Sequence, residues 1–204
     1  STGVRKNSDG SYTVVGARND GDCGIYLVDS NNNWDIKTSQ SIGYNTLNPF
    51  DFMVPDDITG GYKKDPAEVT FSIKNLADGN AIFEKYTSEW ESIATSAVIP
   101  TALVSMPLLA YMSKNDAYFD INSGYPQSTG GIYAPVLLDG NTITTVRALG
   151  NRIFGANMRT VYEKSYDTFL DTPKSFYKLN MPFAGKYNQY RNNGNGYNSG
   201  YPYY

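Results

Sequence analysis

Residues Ile143–Met158 read ITTVRALGNRIFGANM and combine a helical pattern of apolar side chains with small and polar residues. Val146, Leu149 and Ile153 recur at a spacing of three or four residues, which predicts one face of an amphipathic helix. Gly150 interrupts that face at a cost of about 1 kcal/mol in helix propensity. A glycine in this place indicates close packing or the close approach of a ligand, so we place the candidate site on this helix.

The polar and small residues of the helix have both functional and structural interpretations. The guanidinium of Arg147 suits a carboxylate or a phosphate, although a surface arginine is an equally simple reading. Asn151 could orient a substrate, or it could bond to a neighbouring loop. Gly150 and Gly155 could admit a ligand to the backbone or could serve helix–sheet packing. The spacing does not match a phosphate loop, because the GxxxxGK[ST] pattern is absent.

Composition excludes several classes of site. The chain has 204 residues, no His and one cysteine, Cys23. Catalytic triads with His, zinc sites built on imidazole and an internal disulfide are therefore excluded. The net charge of −3 and pI of about 4.9 disfavour binding to nucleic acid through bulk charge. We expect no bound cofactor, although carboxylates could hold a divalent cation.

The apolar and polar patterns predict an α+β protein with a β-rich N-terminal half built on antiparallel hairpins and a mainly helical C-terminal half. Two predicted strands, Tyr12–Val15 and Ile25–Val28, form an N-terminal hairpin or meander. The other predicted strands cover Glu68–Ile73, Leu103–Met112, Tyr118–Ile121, Ile132–Leu138 and Asn141–Thr145. Predicted helices run from an Asn80 cap to Pro100, from Thr144 or Thr145 to about Lys164, and onward from Thr172-Pro173. Ser39–Lys64 is predicted as loop with at most one strand.

The domain organisation follows from composition. We expect a single domain over residues 1–190 and an Asn/Gly/Tyr-rich tail over residues 191–204. The apolar run Ala97–Met112 contains two prolines and is too short to cross a bilayer. Ser1–Asn7 has no apolar core, and both chain ends look like cuts through a longer polypeptide, so we expect an excised domain.

Asp116 and Asp120 form a second candidate cluster. A strand there would place both carboxylates on one face, where they could act as general acid and base or hold a metal ion. Solvated positions at a turn and a strand edge are the structural alternative.

Four blocks of sequence, taken in order, resemble a known family. They are Tyr12–Val15 with the following GARNDGDCGIYLVDSNNN, Leu109–Met112 with Tyr118–Asp120, Gly131–Ala134, and Val146–Ala156. They are similar to segments of C-terminal toxin domains of Rhs-type and related polymorphic toxins, the type 44-like group above all. The resemblance implies a secreted antibacterial effector that travels on a carrier protein of a secretion apparatus. It also implies a cognate immunity protein.

One position departs from the family pattern. Where the pattern has Arg-Asp before the Gly-Asn pair, this chain has Arg147-Ala148. The resemblance implies that position 148 is catalytic and that Arg147 and Asn151 position the substrate. We expect Asp120 to supply a second carboxylate. Ala148 would then be an inactivating substitution, engineered or natural. The residues expected to bind substrate are Tyr133, Gly150, Arg152 and Gly155.

Low charge and an Asn/Tyr-rich composition favour a carbohydrate ligand, so the leading expectation is a hydrolase of peptidoglycan or its precursors, delivered to the target periplasm. Two carboxylates would suit such hydrolysis. An RNase acting in the target cytoplasm is the first alternative and would need a basic groove from Arg147, Arg152 and Arg159. A non-enzymatic structural domain of a phage or surface appendage is the second alternative.

Overall fold

The computed structural model describes residues 1–56, 61–66, 69–95, 112, 121 and 131–164. The chain divides into two compact units. The first is made of Ser1–Asn80 and Tyr125–Arg147, and the second of Ala81–Gly124 and Ala148–Tyr204. The first unit contains the whole sheet, and the second contains nearly all of both described helices. The expectation of one domain over residues 1–190 with a tail over 191–204 stays a prediction.

The described part of the first unit contains an eight-stranded mixed sheet in the order β7-β2-β1-β3-β4-β10-β9-β8, with β5 and β6 paired separately. The strands are β1 Thr2–Lys6, β2 Tyr12–Ala17, β3 Gly24–Leu27, β4 Ser41–Thr46, β5 Met53–Asp56, β6 Gly61–Pro66, β7 Thr70–Phe71, β8 Ala77–Asp78, β9 Pro135–Leu138 and β10 Thr142–Thr145. Three neighbouring pairs are parallel, namely β1/β3, β4/β10 and β8/β9. With the two helices that follow, the sheet confirms the α+β class.

The predicted N-terminal hairpin is wrong in its pairing. Strands β2 and β3 exist, but β1 lies between them and pairs antiparallel with β2 and parallel with β3. Strand β1 has one strongly apolar residue, Val4, whose partners are non-local, so its sequence carries little strand signal. The β9/β10 hairpin is confirmed, with Gly140 at φ +62° in its turn.

The predicted loop over Ser39–Lys64 is also wrong, since it contains β4, β5 and part of β6. In β4 the side chains of Ile42, Tyr44 and Thr46 are more enclosed than those between them, which is the alternation of a half-buried strand. The strand predicted over Glu68–Ile73 is shorter, and a single 3-10 turn, Ile73–Asn75, follows it.

An apolar core lies on one face of this sheet. Each fully buried aliphatic or aromatic side chain of this kind contributes about 1.5–3 kcal/mol through its removal from water. The core consists of Val4, Val14, Ile25, Phe52, Val69, Phe71 and Ile143. Phe52 brings the loop after β4 into the core, and its ring stacks on that of Phe71 at 6.4 Å between centroids.

Trp34 holds the loop between β3 and β4 against the beginning of the sheet. Its ring lies over Gly3 and Gly16, where an added Cβ would come within 2.5 Å of ring carbons. The Arg18 guanidinium stacks on the ring at 3.8 Å from its centroid, and Nη1 of Arg18 donates to the Trp34 carbonyl. Nε1 of Trp34 donates to Oγ of Ser1 at 3.0 Å. The two glycines are therefore required by the close approach of the indole.

The second unit is described through its two long helices, α1 (Gly79–Thr95) and α2 (Val146–Lys164). Both confirm predicted helices. Trp90 of α1 is fully buried and donates from Nε1 to the Asn157 carbonyl at 3.1 Å, and Arg152 lies over the Phe83 ring at 5.0 Å. Along both helices the contact between Phe83 and Arg152 comes before the contact between Trp90 and Asn157, so α1 and α2 run side by side in the same direction.

The predicted cap of α1 is displaced. Asn80 lies inside the helix, and its backbone N–H donates to Oδ1 of Asp78 at 2.9 Å. The Asn80 amide instead donates to Oδ1 of Asp139 at 2.9 Å. Asp78 therefore accepts one of the first N–H groups of α1, the role expected of a capping residue.

The remaining predictions fall mostly outside the described residues. The strands predicted over Leu103–Met112 and Tyr118–Ile121 are wrong at Met112, which is helical, and at Ile121, which lies in a 3-10 turn. The helix predicted from Thr172 and the tail over 191–204 lie outside the described part of the chain. Among the described residues, no helix has the length and apolar character needed to cross a membrane.

Candidate active site

One end of the sheet gathers polar side chains from several strands. Strands β1 and β3 run parallel and begin at this end. The backbone N–H of Thr46, the last residue of β4, donates to the Cys23 carbonyl at 2.7 Å, which places the end of β4 beside the beginning of β3. Ile143 of β10 pairs in parallel register with Thr46, so β10 also ends here. Residues that leave β4 or β10 therefore meet at one edge of the first unit.

A buried carboxyl, Asp51, lies at this edge. Its side chain is 2% exposed, in the loop that follows β4. Oδ1 accepts a hydrogen bond of 3.0 Å from Nδ2 of Asn48, and Oδ2 accepts bonds from the Asn48 backbone N–H at 3.2 Å and the Thr144 hydroxyl at 3.0 Å. Asn48 and Thr144 are themselves 1% and 0% exposed. The carboxyl thus has a fully enclosed set of neutral donors.

The local sequence explains how the loop closes around Asp51. The Asp51 N–H donates to the Asn48 carbonyl at 3.2 Å, which forms a turn over Asn48-Pro49-Phe50-Asp51. Proline favours the second position of such a turn, and Asn favours the first. The next residue, Phe52, is fully buried in the core and anchors the turn.

Burial raises the pKa of Asp51 from 3.8 to about 6. Removal of the carboxylate from water disfavours its charged form, and the hydrogen bonds from Asn48 and Thr144 offset only part of that effect. Because the donors are neutral, they stabilise the carboxylate less than a cation would. Asp51 can therefore both give and take a proton near neutral pH, as a general acid or base must.

Cys23 is a half-buried free thiol at the same edge. Burial raises the pKa of this thiol, and the Asp51 carboxylate adds to the effect through its charge. A thiol with a raised pKa carries little thiolate at neutral pH, which argues against a nucleophilic role. The Cys23 carbonyl instead has a structural role, since it also accepts from Oγ1 of Thr46 at 3.2 Å.

The residues that the sequence analysis placed at the centre of the site lie at the beginning of α2 and are enclosed. Arg147 is 4% exposed, Ala148 1% and Asn151 0%. Ala148 packs as a core residue and has no functional group, so position 148 cannot carry out acid–base chemistry in this chain. An aspartate there would be a buried carboxylate next to Arg147 in sequence.

The predicted substrate-binding residues are in varied surroundings. Gly150 and Gly155 are buried on α2, which supports their interpretation as packing positions. Arg152 is half-buried and stacks on Phe83 of α1. Tyr133 is half-buried and packs against the apolar core of the sheet.

The second predicted cluster is untested. Asp116 and Asp120 lie outside the described residues. In the described ranges, no group of three or more acidic or cysteine side chains could hold a metal ion.

The Asp51 network was missed by sequence reasoning. The Asn-Pro-Phe-Asp turn was visible in a stretch predicted as loop, but nothing local shows that its carboxyl is buried. Thr144 was predicted, as one of two alternatives with Thr145, to cap α2, whereas its hydroxyl donates to Asp51.

No protein-family model matches the chain, and searches of curated proteins and of solved structures find no significant match. The resemblance to polymorphic toxin domains therefore stays a prediction.

Proposed function

We propose that this chain is the effector domain of a secreted antibacterial toxin and that its active form hydrolyses peptidoglycan or its precursors, with Asp51 as its proton donor and acceptor. The observation that carries the catalytic part is the enclosed Asp51 carboxyl, whose pKa burial raises to about 6. The toxin part is supported by the sequence resemblance, and with it come the carrier protein, the immunity protein and delivery to the target periplasm.

The chemistry of glycoside hydrolysis explains why such a carboxyl is useful. A protonated carboxyl gives its proton to the leaving oxygen as the bond to the sugar breaks, and water supplies the hydroxyl group that replaces it. The proton released by that water restores the acid. At pH 7, a group with a pKa near 6 is protonated in about a tenth of the molecules, so it can both donate and accept a proton during the reaction.

The enclosure of Asp51 sets a requirement on the mechanism. A side chain 2% exposed does not meet a polymer in this conformation, so the turn over Asn48–Asp51 must open when substrate binds. Loops that close over a substrate commonly exclude water in this way. Neither Asn48 nor Thr144 needs to react, since both act by donating hydrogen bonds to the carboxyl.

Ala148 enters the proposal through the family pattern. If an aspartate at position 148 belongs to the active form, the chain as it stands is inactive and Ala148→Asp restores toxicity. Because Ala148 is 1% exposed, the new carboxylate would be enclosed. The free energy needed to remove its charge from water must then be offset by an opposite charge and by hydrogen bonds. The variant must therefore be shown to fold before its activity is interpreted.

The test is the growth of cells that make the Ala148→Asp form, once retained in the cytoplasm and once exported to the periplasm. We expect killing on export alone and normal growth when Asp51→Asn is added to the exported form. Thr142→Val, a polar-to-apolar change at a half-buried position of β10, is the matched control and should leave killing unchanged. Normal growth with folded protein in both compartments would reject the proposal.

Killing from the cytoplasm would instead favour the RNase alternative. Two of the three arginines that it needs are engaged or enclosed, since Arg152 stacks on Phe83 and Arg147 is 4% exposed. The side chain of Arg159 is outside the described set. No observation on the described residues favours this alternative.

The non-enzymatic alternative has one observation in its favour. The beginning of α2, which belongs to one of the four blocks that resemble the toxin family, is a buried packing element, with Ala148, Gly150 and Asn151 all enclosed. A structural domain of an appendage predicts stable oligomers and no toxicity. A monomer that binds a small immunity protein tightly would argue against it.

A further inference from the structure

The turn over Asn48–Asp51 is fastened by the carboxyl that it encloses. The Asp51 N–H donates to the Asn48 carbonyl at 3.2 Å. In return, the Asn48 N–H donates to Oδ2 of Asp51 at 3.2 Å, and Nδ2 of Asn48 donates to Oδ1 at 3.0 Å. Three hydrogen bonds therefore join the two ends of the turn to each other. The Thr144 hydroxyl, at 3.0 Å from Oδ2, is the donor that comes from another strand.

Anchors hold the chain on both sides of the turn. The Leu47 N–H donates to the Ile143 carbonyl at 3.1 Å, and the Phe52 side chain is fully buried in the core of the sheet. An opening confined to residues 48–51 leaves β4 and the core in place. Such an opening breaks the hydrogen bonds to the carboxyl and exposes Asp51 to water.

No opposite charge holds the carboxylate inside the closed turn. Its donors are neutral amide and hydroxyl groups. Strand β10 has no titratable side chain, and β4 has Tyr44 alone. Arg147, the cation that follows β10 in sequence, makes no ion pair with Asp51, because the ion pair among the described residues joins Ser1 and Asp20. An enclosed carboxylate of this kind favours either protonation or exposure to water.

The thiol of Cys23 is the titratable group that faces Asp51 from the segment before β3. Burial raises the pKa of this thiol, and the charges of Asp51, Asp22 and Asp20 add to the effect. The thiol is therefore neutral between pH 5 and pH 8 and gives the Asp51 carboxylate no compensating charge.

The two forms of the turn bind the Asp51 proton with different strength. Burial raises the pKa of Asp51 to about 6 in the closed form, whereas an aspartate in water has its ordinary value of 3.8. The protonated carboxyl can also keep its contact with Thr144, since a hydroxyl group accepts as well as donates a hydrogen bond. Because the closed form binds the proton more tightly, loss of the proton shifts the equilibrium toward the open form.

We propose that the turn over Asn48–Asp51 is a proton-controlled cover of the candidate active site. Protonated Asp51 holds the turn closed, and loss of the proton releases the carboxylate into water. From acid to neutral pH the ratio of open to closed form rises by about 100-fold. The cover controls access of substrate only if the proposed function holds, whereas the opening itself requires neither hydrolysis nor toxicity.

The experiment measures hydrogen exchange of backbone amides in the unchanged chain from pH 5 to pH 8, corrected for the intrinsic exchange rate. The protection of the Asn48 and Asp51 amides should fall about tenfold over this range and should respond little to low urea concentrations, because the opening is local. The Val14 amide, which donates to the Val69 carbonyl, should exchange more slowly and with a strong dependence on urea, through global unfolding.

Matched variants assign the effect to one carboxyl. Asp51→Asn should make the protection of the turn independent of pH. Asp35→Asn is the control, since Asp35 is exposed and accepts the Lys37 N–H at 2.8 Å in a different turn. It should leave the pH dependence at Asn48–Asp51 unchanged. If Asp51→Asn fails to fold, Thr144→Val replaces it; loss of that donor raises the pKa of Asp51 further and should move the fall in protection to higher pH.

Two results would overturn the cover. One is protection of the turn amides that stays constant or rises from pH 5 to pH 8. The other is exchange of these amides at the rate and urea dependence of Val14, which would mean that Asp51 meets water only on global unfolding. A local opening in a chain whose Ala148→Asp form leaves peptidoglycan intact retains the cover and rejects the hydrolase. Digestion of peptidoglycan by Ala148→Asp protein without a local opening rejects the cover alone.

Discussion

The hydroxyl of Thr144 donates a hydrogen bond of 3.0 Å to Oδ2 of Asp51, although the two residues are 93 positions apart. This bond ties β10, the strand directly before α2, to the turn that follows β4. Asp51 is the only enclosed carboxyl among the described residues. The proposed chemistry and the architecture of the sheet therefore meet at this contact.

Replacement of Thr144 by valine should change Asp51 in two ways. The variant keeps the shape of the side chain but removes one donor, so the carboxylate loses stabilisation and its pKa should rise above about 6. The free energy of unfolding at pH 7 should fall by about 1–2 kcal/mol. Carbon-detected NMR titration of the Asp51 carboxyl and denaturant unfolding measure the two effects, with Thr142→Val as control. An unchanged titration of Asp51 would contradict the assigned bond.

Stability should depend on pH through Asp51. Its pKa in the folded state is raised from 3.8 to about 6, so between these values the folded protein binds the proton more tightly than the unfolded chain. The contribution of Asp51 to stability is therefore greatest below pH 3.8, falls as the pH rises through 6 and stays lower above it. The loss amounts to about 3 kcal/mol, from a displacement of about two pKa units.

Asp51→Asn removes the titrating carboxyl. Comparison with the unchanged chain therefore separates the contribution of Asp51 to the pH dependence of stability from that of all other groups. The free energy of unfolding of the unchanged chain, minus that of Asp51→Asn, should fall by about 3 kcal/mol from acid to neutral pH. Urea denaturation at a series of pH values gives the difference. If the difference between the two unfolding free energies stays constant or rises as the pH increases, the pKa of Asp51 is not raised in the folded protein.

Two buried asparagines should respond in opposite directions to the same substitution. Asn48→Leu removes the donors to Asp51 and should destabilise the protein by about 2–3 kcal/mol, since it leaves a buried carboxyl short of partners. Asn151→Leu removes an amide with no partner and should stabilise the protein by about 1 kcal/mol or more. Loss of stability in both variants would show that Asn151 is bonded after all.

The indole of Trp34 should make Gly16 intolerant of a methyl group. Gly16→Ala places a Cβ within 2.5 Å of ring carbons, and such overpacking costs about 1–3 kcal/mol. In a Trp34→Leu background the same change should cost much less, so a double-mutant cycle of unfolding free energies isolates the clash. Equal costs in both backgrounds would mean that the ring is not over Gly16.

Elements whose signals are local could be predicted from the sequence. Helix α2 follows from the spacing of Val146, Leu149 and Ile153, and the β9/β10 hairpin follows from the turn at Gly140. Strand β1 could not be found in this way, because its pairing with β2 and β3 is non-local and Val4 is its main apolar residue. A one-residue pattern does not decide between strand and loop.

The site was harder to predict than the fold for a physical reason. The pKa of Asp51 depends on burial and on Thr144, and neither property is contained in the neighbourhood of residue 51. Burial also differs from what was expected for two residues that the sequence analysis selected. Arg147 and Asn151 were expected to contact substrate, but both side chains are enclosed, and the Asn151 amide has no hydrogen-bond partner.

The central claim is that the active form of this domain hydrolyses peptidoglycan with Asp51 as its acid and base. The most direct measurement is mass analysis of the products released when purified Ala148→Asp protein is incubated with isolated sacculi, beside the same protein carrying Asp51→Asn. We predict soluble muropeptides with new ends from the first protein and none from the second. Sacculi left intact by folded Ala148→Asp protein, or identical release from both proteins, would contradict the claim.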